Sequence, residues 1–422
     1  MRGLLQIVVL EWRALIRTGV LPALWLFAFL WTYFAPLWLV SDGTDEGARE
    51  IFLTYGVGTV FVLALIAFGA SAAGALSKER AAKRLQLSLV RPVPAFVLAW
   101  GRMLAHTAGF ATVVAVALGA AALHGDGARP AYHVRHPILQ TPAEEAREAY
   151  AGYMRSAETP EAVKKMKKES VLRILEQKSF ERYETIPANA TAVWRFPLPT
   201  GGKASRPWLA RFKFASLYET RGTVCGIVSC GEARVAVSNA IQASLRVPLA
   251  GAGSGKDAST VLVSFRNTGR NTLMLRPRKD VQLLEPAGTY GGNLVRAGLE
   301  LVALAALVVA FAVFLGAGLG RSVAIFTLLG FLFVSAIGPD VLESYPDPLE
   351  TRRVDRMGLA MTRGVWRLTR PFSRPLPTRA LVADEYTENA EILESLLVNL
   401  VVAPVVLAGL AAFCLRRKEE GL

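Results

Sequence analysis

Six apolar runs separated by charged stretches set the rhythm of the chain: residues 20–40, 51–76, 95–123, 294–319, 322–338 and 392–415. A helix needs about 20 apolar residues to cross a hydrocarbon core about 30 Å thick, so the run at 322–338 is short for a crossing. Trp25, Trp31, Tyr33, Trp38, Tyr55 and Trp100 gather near the ends of the runs, where interfacial aromatics belong. Ahead of the first run, "MRGLLQIVVLEWRALIRTG" sets Glu11, Arg13 and Arg17 among apolar residues at helical spacing. This predicts an amphipathic helix over 1–19 lying on a membrane surface. No small-residue cleavage site closes the following run, which continues through Trp38, so a signal peptide is not expected. The fold class that follows is a polytopic α-helical membrane protein of about six transmembrane helices.

The period changes between the third and fourth runs. Residues 124–290 read as an inserted α+β domain, helical over 141–184 and β-rich over 190–287. "TPAEEAREAYAGYM" and "TPEAVKKMKKESVLRILEQKSFERYE" each open on Thr-Pro, a cap followed by proline at the first helical position. "TAVWRFPLP", "PWLARFKFAS", "ARVAVSNAIQASLRVPLAG", "STVLVSFRNTGRNTLMLRP" and "DVQLLEP" then alternate between turn residues. That spacing predicts a small antiparallel, β-sandwich-like domain.

Charge orients the spans. The chain is 52% hydrophobic with a net charge of +14 over 422 residues. None of the compact basic modules that bind nucleic acid is present, and no nucleic-acid partner is expected. Lys and Arg beside apolar runs fit positive-inside topology instead. "SDGTDEGARE" is acidic, whereas the next loop carries Lys78, Arg80, Lys83, Arg84 and Arg91, and Arg416, Arg417 and Lys418 follow the last run. Both termini are therefore expected in the cytoplasm, with 124–290 and 339–391 outside. The second of these loops breaks the rule, because it holds eight arginines between Arg352 and Arg379. Its "VDRMGLAMTRGVWRLTR" reads as an amphipathic helix on the outer surface.

Little catalytic chemistry is legible. "AGAGSGKDAS" places Ala250 and Asp257 where a phosphate-binding loop needs Gly and Ser or Thr, so a flexible loop is the better reading. His133 and His136 in "HVRH" stand at a spacing that a helical metal site uses, but without further ligands. Cys225 and Cys230 either pair in an oxidising compartment or remain free thiols. Arg102 and His106 fall one turn apart early in the third run, Glu300 early in the fourth, and Glu394 and Asn399 early in the sixth. Charge inside a membrane is costly and often faces a pathway or a partner; Glu300, Glu394 and Asn399 are the candidate transport-path residues. Pro404 is expected to kink the sixth span.

"SKERAAKRLQLSLVRPVPAFVLAWGR", residues 77–102, carries a more specific pattern. Ser77, Glu79, Arg80, Leu85, Leu87, Leu89, Pro92, Val93 and Gly101 stand where the cytoplasmic loop of type-2 ABC exporter permeases has Ser-x-Glu-Arg, spaced leucines, Pro-Val and Gly. Arg102 stands where that family usually has Lys; Lys83, Arg84 and Pro94 depart from it. The chain resembles a permease subunit of that family, one with a large extracytoplasmic domain between its third and fourth spans. The resemblance implies several things. A separate ATP-binding cassette ATPase subunit and a second permease, a copy or a paralogue, would be partners in the bilayer of a bacterial cytoplasmic (inner) membrane. The loop 77–94, with Lys83, Arg84, Arg102 and the N-terminal Glu11 and Arg13, would form the ATPase-coupling surface. Without a nucleotide site or catalytic motif, the chain is expected to be no enzyme and to need no cofactor. A membrane-anchored binding or assembly protein, recognising a ligand through the inserted domain, is the rival reading.

Overall fold

A computed structural model describes residues 2–40, 45–81, 94–124, 127, 129–156, 159–180, 182–197, 208–216, 222–249, 260–344 and 378–420. The chain divides into a helical unit, built from residues up to Arg129 and again from Thr289, and an inserted unit, Pro130–Gly288.

The helical unit begins with α1 (Arg2–Arg17) and α2 (Val20–Trp38), which meet at Gly19 in the left-handed conformation that glycine adopts without penalty. α3 (Asp45–Ile51) widens into a π-helical stretch, Phe52–Val57, and continues as α4 (Gly58–Ala81). α5 (Ala95–Ala122) follows. As predicted, α1 is amphipathic, with Gln6, Arg13 and Arg17 on one face of the helix. Arg13 and Arg17 are exposed, Glu11 turns inward, and Leu5 and Leu10 are exposed while Leu15 is buried.

In the inserted unit, α6 (Pro142–Arg155) opens with the predicted cap. Thr141 Oγ1 accepts from Glu144 N at 3.2 Å, and Glu144 Oε2 accepts from Thr141 N at 2.9 Å, a reciprocal capping box. The second Thr-Pro departs from the prediction. Pro160 is itself the N-cap of the short α7 (Glu161–Lys164), and the Thr159 hydroxyl donates to Tyr153 O instead. α8 (Lys168–Phe180) returns against α6, burying Ala146, Val171 and Leu175 between them.

The strands are β1 (Pro130–Arg135), β2 (Glu184–Ile186), β3 (Thr191–Pro197), β4 (Trp208–Lys213), β5 (Ala215–Ser216), β6 (Thr223–Cys230), β7 (Ala233–Ala240), β8 (Ser244–Leu249), β9 (Thr260–Asn267), β10 (Leu273–Leu275) and β11 (Val281–Thr289). They form sheets in the orders β1-β11-β4-β8, β2-β10-β5 and β3-β9-β6-β7. β3, β6, β7 and β9 pair antiparallel, and one apolar cluster joins Trp194 and Phe196 to Phe212, Phe265 and Leu283. Alternation along β3, β4, β6, β8 and β9 turns one face of each into this shared core, as in a sandwich. β1, β2 and β6 fall outside the segments whose alternation predicts strands. In β6 the inward positions are Val224, Gly226, Val228 and Cys230, and small residues blur the β-branched signature.

Two open questions of spacing are answered in this unit. Cys225 and Cys230 are free thiols on one strand. Five residues at about 3.3 Å each separate them by about 16 Å on opposite faces, beyond the roughly 7 Å that a disulfide spans. His133 lies in β1 and not on a helix, so the "HVRH" spacing brings no second ligand to one face. Among the described residues no group of three His, Cys, Asp or Glu is placed to hold a metal.

After α9 (Pro277–Asp280) and β11 the chain returns to the helical unit through α10 (Tyr290–Gly318), α11 (Arg321–Ser344), α12 (Thr378–Val382), α13 (Asn389–Ser395), a second π-helical stretch, Leu396–Val402, and α14 (Ala403–Glu420). Among the described residues five helices are long and apolar enough to cross a membrane: Val20–Trp38, Gly47–Glu79, Ala95–Ala122, Tyr290–Gly318 and Asn389–Arg417. The remaining predicted span falls on α11, whose described apolar stretch, Arg321–Ser335, is shorter. α10 is the central helix: 72% of its apolar window is buried, against 22% for α2 and 28% for Asn389–Arg417. Its Gly316 lets it touch α4 backbone to backbone, since a Cβ there would lie 2.4 Å from Ala73 O. Pro404 follows directly on the second wide turn, which leaves room for a ring that would clash with the carbonyl four residues back.

Candidate functional site

Three helix segments converge on Arg102, two turns into α5. Its side chain is only 3% exposed. Nε lies 3.0 Å from Glu11 Oε1 on α1, and Nη2 contacts Glu79 Oε2 near the end of α4. These are ion pairs without hydrogen-bond alignment: Arg102 Nε and Nη1 and Glu79 Oε2 are buried and make no hydrogen bond among the described residues. One guanidinium thus faces two carboxylates electrostatically, without the parallel fork that makes Arg–carboxylate pairs rigid.

Packing holds α1 close enough for this contact. A Cβ on Gly101 would lie 2.8 Å from Ile7 Cγ2, so only glycine admits α1 at this distance. One turn further along α5, His106 is buried, with Nδ1 3.0 Å from Arg102 O and Nε2 3.3 Å from Ser71 Oγ. Ser77 is buried on α4, its hydroxyl donating to Ala73 O and Gly74 O. Beside this cluster opens a cavity of ≈ 810 Å³, with Glu11, Ser71, Lys78, Glu79, His106 and Arg321 on its polar side.

The structure therefore brings Glu11, Glu79 and Arg102 together from three helices, with Gly101 beside them, while Ser77 bonds only to the backbone of its own helix. Arg13 is exposed and outside the cluster. Arg80 is described by its backbone alone, at the end of α4. Lys83, Arg84, Leu85, Leu87, Leu89 and Pro92 lie outside the described residues, as do "AGAGSGKDAS" and the "VDRMGLAMTRGVWRLTR" helix. Glu300, Glu394 and Asn399 do not converge on the cavity. Glu300 is half-buried on α10 and Glu394 exposed on α13, while Asn399 is buried in the second wide turn, 3.3 Å from Ser395 Oγ.

A second charged centre lies at the other end of α10, and sequence reasoning missed it. Asp384, with a fully buried side chain, accepts from Arg49 Nη1 through both oxygens, at 2.9 and 3.1 Å, and Arg129 Nε lies 3.7 Å away. Asp384 has φ 54, and the bonds Asp384 N to Leu381 O and Glu385 N to Ala380 O make it the left-handed cap of α12. The residues after it are fastened to the first turns of α10. Asn293 donates to Glu385 O at 2.6 Å and accepts from Thr387 N at 3.0 Å, and the Arg296 guanidinium lies 4.4 Å over the Tyr386 ring.

No family model, no curated protein and no solved structure matches this chain. The Arg102 centre holds a cation between two anions in a partly open site, with a neighbouring cavity large enough for a small molecule. The Asp384 centre is aligned, and none of its partners lines that cavity.

Proposed function

We propose that the chain is the membrane-spanning permease subunit of an ATP-binding cassette exporter. It would move a substrate outward, with ATP hydrolysed by a separate ATPase subunit and a second permease completing the pore. The observation that supports this reading best is the Arg102 contact with Glu11 and Glu79. It links the N-terminal helix α1 and the ends of α4 and α5 that flank residues 82–93, the segment whose sequence resembles a coupling loop. A push on that segment would reach two candidate spans and α1 through one ionic joint. Both termini and this joint would then face the cytoplasm of a bacterial inner membrane, with the inserted unit outside. The substrate would pass between spans, with α10 at the centre of the helical unit.

One observation favours the rival reading, a membrane-anchored binding or assembly protein: the inserted unit has an apolar core of its own and could recognise a ligand without motion in the spans. Reversing charge at Glu79 separates the two. A coupled permease loses transport while still inserting in the membrane; an anchor tolerates the change. Isolation of the protein from its native membrane under complex-preserving conditions should also recover an ATPase subunit. Recovery of the intact chain with no ATPase bound would sink the permease reading.

A further inference from the structure

The cavity beside the Arg102 joint joins two kinds of surface. Leu15 of α1, Ala70 of α4 and Ile325 of α11 form an apolar wall. Lys78 and Arg321 line it as exposed cations, and neither makes an ion pair among the described residues. The carboxylates on the lining, Glu11 and Glu79, already contact Arg102, so Lys78 and Arg321 are the charges left to meet a ligand. Ser71 adds a hydroxyl beside His106. A guanidinium fork and an ammonium on the lining of one cavity suit the oxygens of a phosphoryl group, and an apolar wall beside them suits a hydrocarbon tail. The ≈ 810 Å³ volume lies within the usual range for a bound small molecule.

We infer that this cavity binds a phosphoryl-bearing amphiphile through Lys78 and Arg321. Two sources share that chemistry, the headgroup of an anionic phospholipid and a free phosphorylated metabolite. The inference goes beyond the transport reading and does not rest on it, because binding is a property of this chain without any ATPase.

The test uses the full-length chain in an uncharged maltoside detergent, with the thermal midpoint followed as ligand is added. Three probes separate the terms: dihexanoyl phosphatidic acid, glycerol 3-phosphate with the charge but no tails, and dihexanoyl phosphatidylcholine with the tails but a neutral headgroup. Dihexanoyl phosphatidic acid should raise the midpoint saturably. The doubly substituted Lys78→Gln, Arg321→Gln protein should bind it about tenfold more weakly or worse, whereas Lys78→Arg should retain binding. Both side chains are exposed, so the ligand-free midpoint of the variants serves as the folding check. Ala70→Leu, which fills the apolar wall, should weaken the lipid more than glycerol 3-phosphate. Glycerol 3-phosphate binding as tightly as the lipid, with the same loss in the double variant, would support the phosphoryl site and assign it to free metabolites. Equal affinity in the double variant, equal binding of phosphatidylcholine, or a response that never saturates would each overturn the inference.

Discussion

The two charged centres of the helical unit use the same ingredients in opposite arrangement. At one, a buried guanidinium stands between two carboxylates; at the other, a buried carboxylate stands between two guanidiniums. Burial does not distinguish them, since Arg102 is 3% exposed and Asp384 0%. Alignment does. Arg49 donates to both oxygens of Asp384, while Arg102 Nε and Nη1 donate to nothing among the described residues. A buried charge is stabilised only when close pairing and hydrogen bonds offset its desolvation. The Asp384 centre meets that condition and behaves as a lock. The Arg102 centre meets it in part, and a contact held in this way separates more readily, as the permease reading requires of a joint there.

The largest effect should come from Asp384→Asn. Asparagine tolerates the left-handed conformation and keeps the cap of α12, so the substitution removes charge without disturbing the turn. Breaking a buried pair costs about 3–5 kcal/mol, and thermal unfolding in detergent should show a loss of that order. A midpoint equal to that of the wild type would mean that the turn, and not the charge, fastens this end.

Arg102→Met should do less to stability. Methionine fills much of the volume, and no aligned hydrogen bond from Arg102 Nε or Nη1 is lost with the cation. The expected loss is about 2–3 kcal/mol, below the fully buried limit. Under the permease reading its larger consequence is functional: ATPase-coupled transport should fall further than the midpoint does. The same comparison made with Asp384→Asn should show stability and transport falling together. Reversal of that ranking would erase the distinction between lock and joint.

What the sequence made legible follows the same division. Apolar runs announce the helices because hydrophobic length is a local property, and five of the six runs became helices long enough to cross a bilayer. The Arg102 centre was partly legible because Glu79 and Arg102 belong to one short motif and Glu11 to a helix with a clear period. Asp384 had no such signal. Its partner Arg49 lies 335 residues earlier, and no spacing rule reaches that far. Within the inserted unit, Thr141 and Thr159 look alike in sequence, yet only Thr141 caps a helix. The Glu three residues after Thr141 completes a capping box, whereas the one two residues after Thr159 cannot. β6 stayed hidden because Gly226, Ser229 and Cys230 weaken the strand signature while its neighbours in the sheet determine the pairing.

Gly101→Ala sharpens the comparison through packing alone. The new methyl would lie 2.8 Å from Ile7 Cγ2, so α1 must move away from α5 and carry Glu11 with it. Overpacking of this kind costs about 1–3 kcal/mol, and the lower part of that range is expected because α1 is exposed along one side. Ile7→Ala in the same chain should restore both the midpoint and the Arg102 contact. Failure of that rescue would mean that the distance between α1 and α5 is not what positions Glu11.

The smallest effect belongs to Glu11→Gln, and it is the most direct test of a joint. Glu11 is partly open to water, and Arg102 keeps Glu79 when Glu11 is neutralised. The stability loss should stay below about 1 kcal/mol, as for other partly solvated pairs, and should shrink further in high salt. A double-mutant cycle between Glu11 and Arg102 should therefore give a coupling energy well below that between Arg49 and Asp384. Equal couplings in the two cycles would show that missing hydrogen-bond alignment has no energetic meaning at Arg102. The two centres would then both be locks, and α1 would be fixed to the spans and unable to relay a push from residues 82–93.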